Sequence, residues 1–277
     1  MNNTMKKLLI GAAALALGTA AAAVWAVAPG KAREEQKAPF KKQNLAHRGL
    51  YNDEKGIPEN SRAAFQAAAD AGYGVELDTR LTADGKVVIS HDDDLFRMTG
   101  EHVRVSKSSY AALQQLRLKG TEETVPLFED VLTLLTKAGV PVVVEVKPVA
   151  KRDALCRATL DIMDRHDHGK LCVESFDPLT VFWFRRNAPD IFRGQLTSQA
   201  DDLKPLPAPL RWIESRVLLN FLGRPQFIAH HTGEKSVGVL LCERMGAFRV
   251  RWTAHDRGWE EGSDAVIFEK FLPPVNF

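Results

Sequence analysis

The stretch that most restricts the fold is Val140-Pro141-Val142-Val143-Val144, five consecutive residues without a polar side chain. A strand with one wet face alternates apolar and polar residues, so an unbroken apolar run marks a strand covered on both faces, as in a parallel sheet clothed by helices. Val87-Val88-Ile89 and Leu171-Cys172-Val173 repeat the pattern. Further strand candidates lie at 44–46, around Glu76 and Asp78, and at 193–196, 227–229, 248–253 and 265–267. Helical spacing separates several of them. Asn60-Ser61 can cap a helix running to a stop at Gly72, 129–137 places Val131, Leu132, Leu134 and Leu135 on one face, and 153–167 does the same with Leu155, Ala158, Ile162 and Met163. Strands alternating with helices over about 230 residues point to an α/β fold, a (β/α)8 TIM barrel with its functional groups at the C-terminal strand ends. With nine strand candidates, at least one lies outside the barrel.

The strand ends are where the ionisable residues stand. Glu76 and Asp78 are two apart, so in a strand both carboxylates leave one face. Two like charges side by side call for a cation. His47-Arg48 ends one apolar run, His91-Asp92 another, and Glu145-Val146-Lys147 a third. Taken singly, each has a plain structural reading: a carboxylate pair that caps or meets arginines, a strand-end ion pair for Glu145 and Lys147, a helix start for Pro58-Glu59-Asn60, a satisfied histidine. Together, Glu76, Asp78 and Glu145 offer three hard oxygen ligands and no thiolate, which suits Mg²⁺ or Ca²⁺ better than zinc. An unperturbed histidine titrates at about 6.5, so of His47 and His91 one can accept a proton while the other donates. Arg48 presents a planar fork matched to phosphate oxygens and Lys147 a point charge. His102, His166, His168, His230, His231 and His255 are read as structural.

In order and spacing, His47-Arg48-Gly49, Pro58-Glu59-Asn60, Glu76-x-Asp78, Asp84-Gly85 and His91-Asp92 resemble the glycerophosphodiester phosphodiesterase family. Glu145-Val146-Lys147 continues the likeness, and Ser175-Phe176 and Trp252-Thr253 echo it more weakly. The resemblance is dense from about residue 44 to 177 and thin beyond. It implies the same barrel, of the kind also used by phosphatidylinositol-type phospholipases C. It further implies His47 and His91 as general acid and base, one divalent cation on Glu76, Asp78 and Glu145, and Arg48 and Lys147 on the substrate phosphate. The reaction expected is hydrolysis of a glycerophosphodiester to glycerol 3-phosphate and an alcohol, with attack by water or by the glycerol's own hydroxyl through a cyclic phosphate. Departures from the family pattern are Ala254-His255 after Trp252-Thr253, Phe268-Glu269 closing the last strand, and Ser61 for a threonine. They point to an altered substrate shape. One alternative keeps the barrel but acts on phospholipids or teichoic-acid-like polymers, and another is a non-catalytic binder of a phosphorylated ligand. The segment 212–222, rich in large apolar residues, is expected as a core helix, or else as a lid or lipid-touching insertion.

Composition settles what surrounds this domain. Residues 1–42 hold seven of the 37 Lys and Arg and two of the 35 Asp and Glu, which leaves 30 basic and 33 acidic residues beyond and no nucleic-acid footprint. Residues 8–28 form an uncharged run of 21 after Lys6 and Lys7, ten of them alanine. At about 1.5 Å per residue it can cross a bilayer core of roughly 30 Å. It is expected as residues 1–29, a transmembrane anchor with the domain outside the cell membrane, or a cleaved signal segment. Residues 30–43 are expected as a charged tether and 44–277 as the catalytic-type domain. Cys156, Cys172 and Cys242 are widely spaced and read as buried small hydrophobes.

Overall fold

The computed structural model describes residues 3–204 and 206–277, with the side chains of residues 3, 4, 8, 9, 12–14 and 16 outside the description. Nine strands form one sheet: β1 Gln43–His47, β2 Gly74–Leu81, β3 Val87–Ile89, β4 Val142–Val146, β5 Leu171–Ser175, β6 Phe192–Thr197, β7 Phe227–His231, β8 Phe248–Ala254 and β9 Ala265–Phe268. Eight are parallel and close on themselves, because β1 pairs with both β2 and β9. The strand left outside is β3, which runs antiparallel to β2 with Thr79 opposite Ile89. The chain is therefore a (β/α)8 barrel, and the hairpin into β3 carries His91 back over the strand ends.

Two apolar layers hold it. Inside the barrel, Leu45, Val143, Cys172, Phe192, Phe227, Phe248 and Ala265 pack with Phe40 into a floor. Phe192 lies 5.8 Å from Phe40 and 4.9 Å from Phe227 between ring centroids. Outside, Val75, Leu77, Val142, Val144, Val146 and Val173 meet Phe65, Phe128, Leu132, Leu155 and Phe184 of the surrounding helices. Each fully buried phenylalanine contributes about 1.5–3 kcal/mol. The unbroken valines of β4 are thus explained by burial on both faces. The helices fall where spacing placed them: Arg62–Asp70, whose Ser61 hydroxyl accepts from Ala64 N at 3.1 Å, then Phe128–Ala138 and Arg152–Met163. All three cysteines are buried and free.

Three expectations change. Residues 212–222 are not one core helix but parts of two short ones, Ala208–Ser215 and Asn220–Gly223, with Leu210 and Trp212 43% and 52% exposed. Residues 30–43 do not hang free, because Gln36 Nε2 donates to Asp190 O at 2.8 Å and Phe40 fills the barrel floor. Of the expected anchor, residues 1–29, the part Asn3–Val27 is helical, and residues 1 and 2 lie outside the described residues. Among the described residues no helix is long and apolar enough to cross a membrane, so the anchor finds no support; Leu8, Leu9, Ala12, Ala13, Ala14 and Ala16 of that run are among the side chains left undescribed. Its end packs on the barrel, where Asn220 Nδ2 donates to Val27 O at 3.2 Å and Trp25 stacks on Phe221.

Candidate active site

The parallel register brings the site together. His47 lies opposite Glu76, and Asp78 opposite Glu145, so three neighbouring strands deliver their ionisable ends to one place. Directly after β1 the backbone enters the left-handed region at Arg48 and Gly49, with φ of 57° and 80°. A side chain at Gly49 would lie 2.8 Å from the backbone of Ala64, so only glycine fits. The turn points Arg48 N at Glu76 Oε2, 3.2 Å away, and brings the Arg48 guanidinium to Glu59 at 2.7 Å and Asp78 at 3.4 Å. Pro58-Glu59-Asn60 proves to be both a helix start and part of the site. Asn60 Nδ2 donates to Asp78 Oδ2 at 2.7 Å, and Glu59 receives Arg97 through two nitrogens at 2.9 and 2.8 Å.

At the centre, Glu76, Asp78 and Glu145 are all buried and offer oxygens within 4.8 Å of one another. Lys147 Nζ sits 3.1 Å from Asp78 Oδ1 and 2.9 Å from Glu145 Oε1. These contacts are ionic only: neither oxygen has a hydrogen-bond donor aligned on it. Burial and the neighbouring Asp78, Glu145 and Glu174 carboxylates push Glu76 well above the ordinary carboxylate range. Burial likewise pushes Glu145 up to about 7, against the pull of Lys147. Asp78 goes the other way, because Lys147 and Arg48 outweigh its burial and hold it well below that range. Three crowded carboxylates, two of them with an oxygen that no donor satisfies, fit a divalent cation, whose charge would let all three ionise. The cluster can hold a metal ion.

The two histidines flank this centre. Each gives its Nδ1 to a carboxylate, His47 to Glu269 and His91 to Asp92, both at 2.8 Å. A carboxylate accepts only, so the proton lies on Nδ1 and the basic nitrogen is Nε2. His47 Nε2 is 3.8 Å from Glu76 Oε2. Burial lowers both imidazoles, His91 to about 4, so both are neutral at pH 7. Glu269 is held at about 2, its burial outweighed by hydrogen bonds from His47 and from the Tyr51 hydroxyl at 2.9 Å. His47, Arg48, Glu76, His91, Glu145 and Lys147 share one cavity of about 210 Å³, whose remaining walls include Glu174, Phe176, Leu196, Trp252 and Ile267.

All seven residues expected at the site therefore converge, as does His255, whose Nδ1 is 3.4 Å from Glu269. Sequence reasoning missed Glu269, Tyr51, Arg97 and Glu174 as participants. Glu269 carried the same signal as its partners, an ionisable residue closing an apolar run. Glu174 broke such a run from within, between Val173 and Ser175.

Fold and site together define a (β/α)8 barrel that gathers an acidic cluster and two histidines at its strand ends, and comparison with known proteins places it. A profile of the glycerophosphoryl diester phosphodiesterase family matches residues 47–254, and the chain belongs to that family. A probable glycerophosphodiester phosphodiesterase 2 of Mycobacterium tuberculosis is 29% identical over 63% of this chain and 60% of its own. Glycerophosphodiester phosphodiesterase 1 of Bos taurus is 29% identical over 76% and 71%. Among solved structures, an Oleispira antarctica phosphodiesterase in complex with the product sn-glycerol-3-phosphate superposes with a TM-score of 0.68 at 25% identity, covering 84% of this chain and 94% of that one. The chain spans from 40% to 66% of the length of the first curated relatives it matches.

Proposed function

We propose that this protein hydrolyses glycerophosphodiesters to glycerol 3-phosphate and an alcohol, with one divalent cation, Mg²⁺ or Ca²⁺, held by Glu76, Asp78 and Glu145. The observation that carries the reading is a single cavity lined by two histidines and by Glu76 and Glu145 of the acidic metal-type cluster. A binder of phosphorylated ligands has no use for paired imidazoles with oriented basic nitrogens. The cation, when bound, neutralises charge gathering on the phosphoryl oxygens. Arg48 and Lys147 orient the phosphodiester beside it through charge-assisted hydrogen bonds. One imidazole takes the proton of the attacking hydroxyl at Nε2 while the other supplies a proton to the departing alcohol oxygen. The anionic substrate raises the proton affinity of both rings, offsetting the depression that burial imposes. Glu269 and Asp92 hold the rings in the productive tautomer.

The test is product identity. Incubation with glycerophosphocholine and Mg²⁺ or Ca²⁺, followed by ³¹P spectroscopy, is expected to give glycerol 3-phosphate and free choline. Phosphocholine as product would move the cleaved bond and contradict the reading. Preference for intact lipid in vesicles would favour the phospholipase-type alternative, to which the exposed Leu210 and Trp212 and a likeness to a human lysophospholipase D, 27% identical over 50% of this chain, lend support.

A further inference from the structure

The reaction above employs every ionisable group of the cavity except Glu174. This residue, on β5, is 2% exposed, lines the cavity, and has no hydrogen-bond partner on Oε2. Buried polar atoms in folded proteins are nearly all paired, and an acceptor left without a donor works against folding. An unpaired oxygen on a residue that lines the cavity leaves an acceptor for a donor that arrives with a ligand. Two donors are conceivable, a cation or a hydroxyl. Glu174 is beside Glu145 in the β4–β5 register, yet the oxygen cluster formed by Glu76, Asp78 and Glu145 does not include it. The nearby cations make their ion pairs elsewhere than Glu174, Lys147 with Asp78 and Glu145 and Arg48 with Glu59 and Asp78. Beyond the groups already employed, the cavity residues that accompany Glu174 are Phe176, Leu196, Trp252 and Ile267, all apolar walls, with Phe176 and Trp252 edge to face at 5.5 Å. A short carbon skeleton can lie on those rings while its hydroxyl donates to the carboxyl.

We infer that Glu174 receives a free hydroxyl of the substrate's polyol part and so selects phosphodiesters of a polyol over those of alcohols without one. This selection rests on the phosphodiesterase reading and names what that site discriminates. A site built to hydrogen-bond a hydroxyl rejects an analogue lacking it more strongly than an apolar pocket rejects a size change, because its own polar group is then left unpaired.

The experiment compares the full-length protein with Glu174→Leu and Glu174→Gln on two substrates in Mg²⁺: glycerophosphocholine, which carries free hydroxyls, and bis(p-nitrophenyl) phosphate, which carries none. Glu174→Leu is expected to reduce kcat/KM for glycerophosphocholine by about tenfold or more beyond any reduction for the aryl diester. Glu174→Gln, which retains an acceptor, is expected to lose less, and mainly in KM. Mg²⁺ affinity by calorimetry is expected to stay at the wild-type value. An equal fall on both substrates, or weakened Mg²⁺ binding, overturns the inference in favour of a structural or metal role. If Glu174→Leu fails to fold by circular dichroism, the same substrate ratio for Glu174→Gln decides. Wild-type protein that hydrolyses neither substrate defeats the phosphodiesterase reading and the inference with it, whereas active wild type with an unchanged ratio defeats the inference alone.

Discussion

Around the mouth of one barrel, β1, β2 and β4 carry His47, Arg48, Glu76, Asp78, Glu145 and Lys147 at or just beyond their ends, while β5, β6 and β8 bring Phe176, Leu196 and Trp252 to the cavity beside them, with Glu174 the one ionisable residue among them. The first half holds charge in fixed relation by backbone register, His47 opposite Glu76 and Asp78 opposite Glu145. The second half encloses. Trp252 Nε1 donates to Ala229 O at 2.9 Å, which pins its ring as a wall. On the proposed reading, metal holding and proton transfer belong to the charged half and the admission of substrate to the enclosing half. Glu269 crosses this division: the last strand reaches back to position His47.

If that division holds, substitutions in the charged half reduce turnover and those in the walls alter substrate preference. His47→Ala and His91→Ala are each expected to reduce kcat by about 10²–10⁴-fold with Mg²⁺ affinity retained. Loss of metal binding in either would erase the distinction between proton transfer and metal holding. Glu269→Leu, which removes the acceptor for His47 Nδ1, is expected to cost about 10–100-fold in kcat with little change in KM. An unchanged kcat would make that hydrogen bond incidental.

The crowding of carboxylates is open to test without substrate. Burial raises Glu145 in the folded, metal-free protein to about 7 from an unfolded value near 4.5. Between these values the folded state binds more protons than the unfolded, so its contribution to stability is present below about pH 4.5 and is lost as pH rises through 7. Glu145→Gln is therefore expected to stabilise the metal-free protein at pH 8 relative to pH 5, by on the order of 2–3 kcal/mol in the difference. Melting curves at the two pH values check this, and equal effects at both would remove the repulsion. The smallest effect belongs to the wall. Trp252→Ala is expected to raise KM a few-fold, about 1 kcal/mol, at nearly constant kcat; a loss centred on kcat would place Trp252 with the charged half.

The barrel was legible because burial on both faces writes itself as unbroken apolar runs, as in Val142-Val143-Val144, and the ionisable residues closing such runs marked the site. What stayed hidden was long range. Glu269 is 222 residues from His47, and only closure of β9 onto β1 makes them neighbours. Phe40 looked like part of a charged tether because its partners Phe192, Phe227 and Phe248 are equally remote in sequence. Trp212 looked like core because a large apolar residue carries no sign of whether its helix is covered; here it stands exposed on a short insertion after β6.

The most direct test of the central claim is a metal add-back. Protein stripped with EDTA is assayed for glycerol 3-phosphate release before and after Mg²⁺ or Ca²⁺, beside Glu76→Ala treated identically. Activity is expected to return with cation in the wild type and to stay lower by about 10³-fold or more in the variant, which also fails to bind the ion in calorimetry. Full activity in EDTA, or a Glu76→Ala variant that recovers with cation, would contradict that claim.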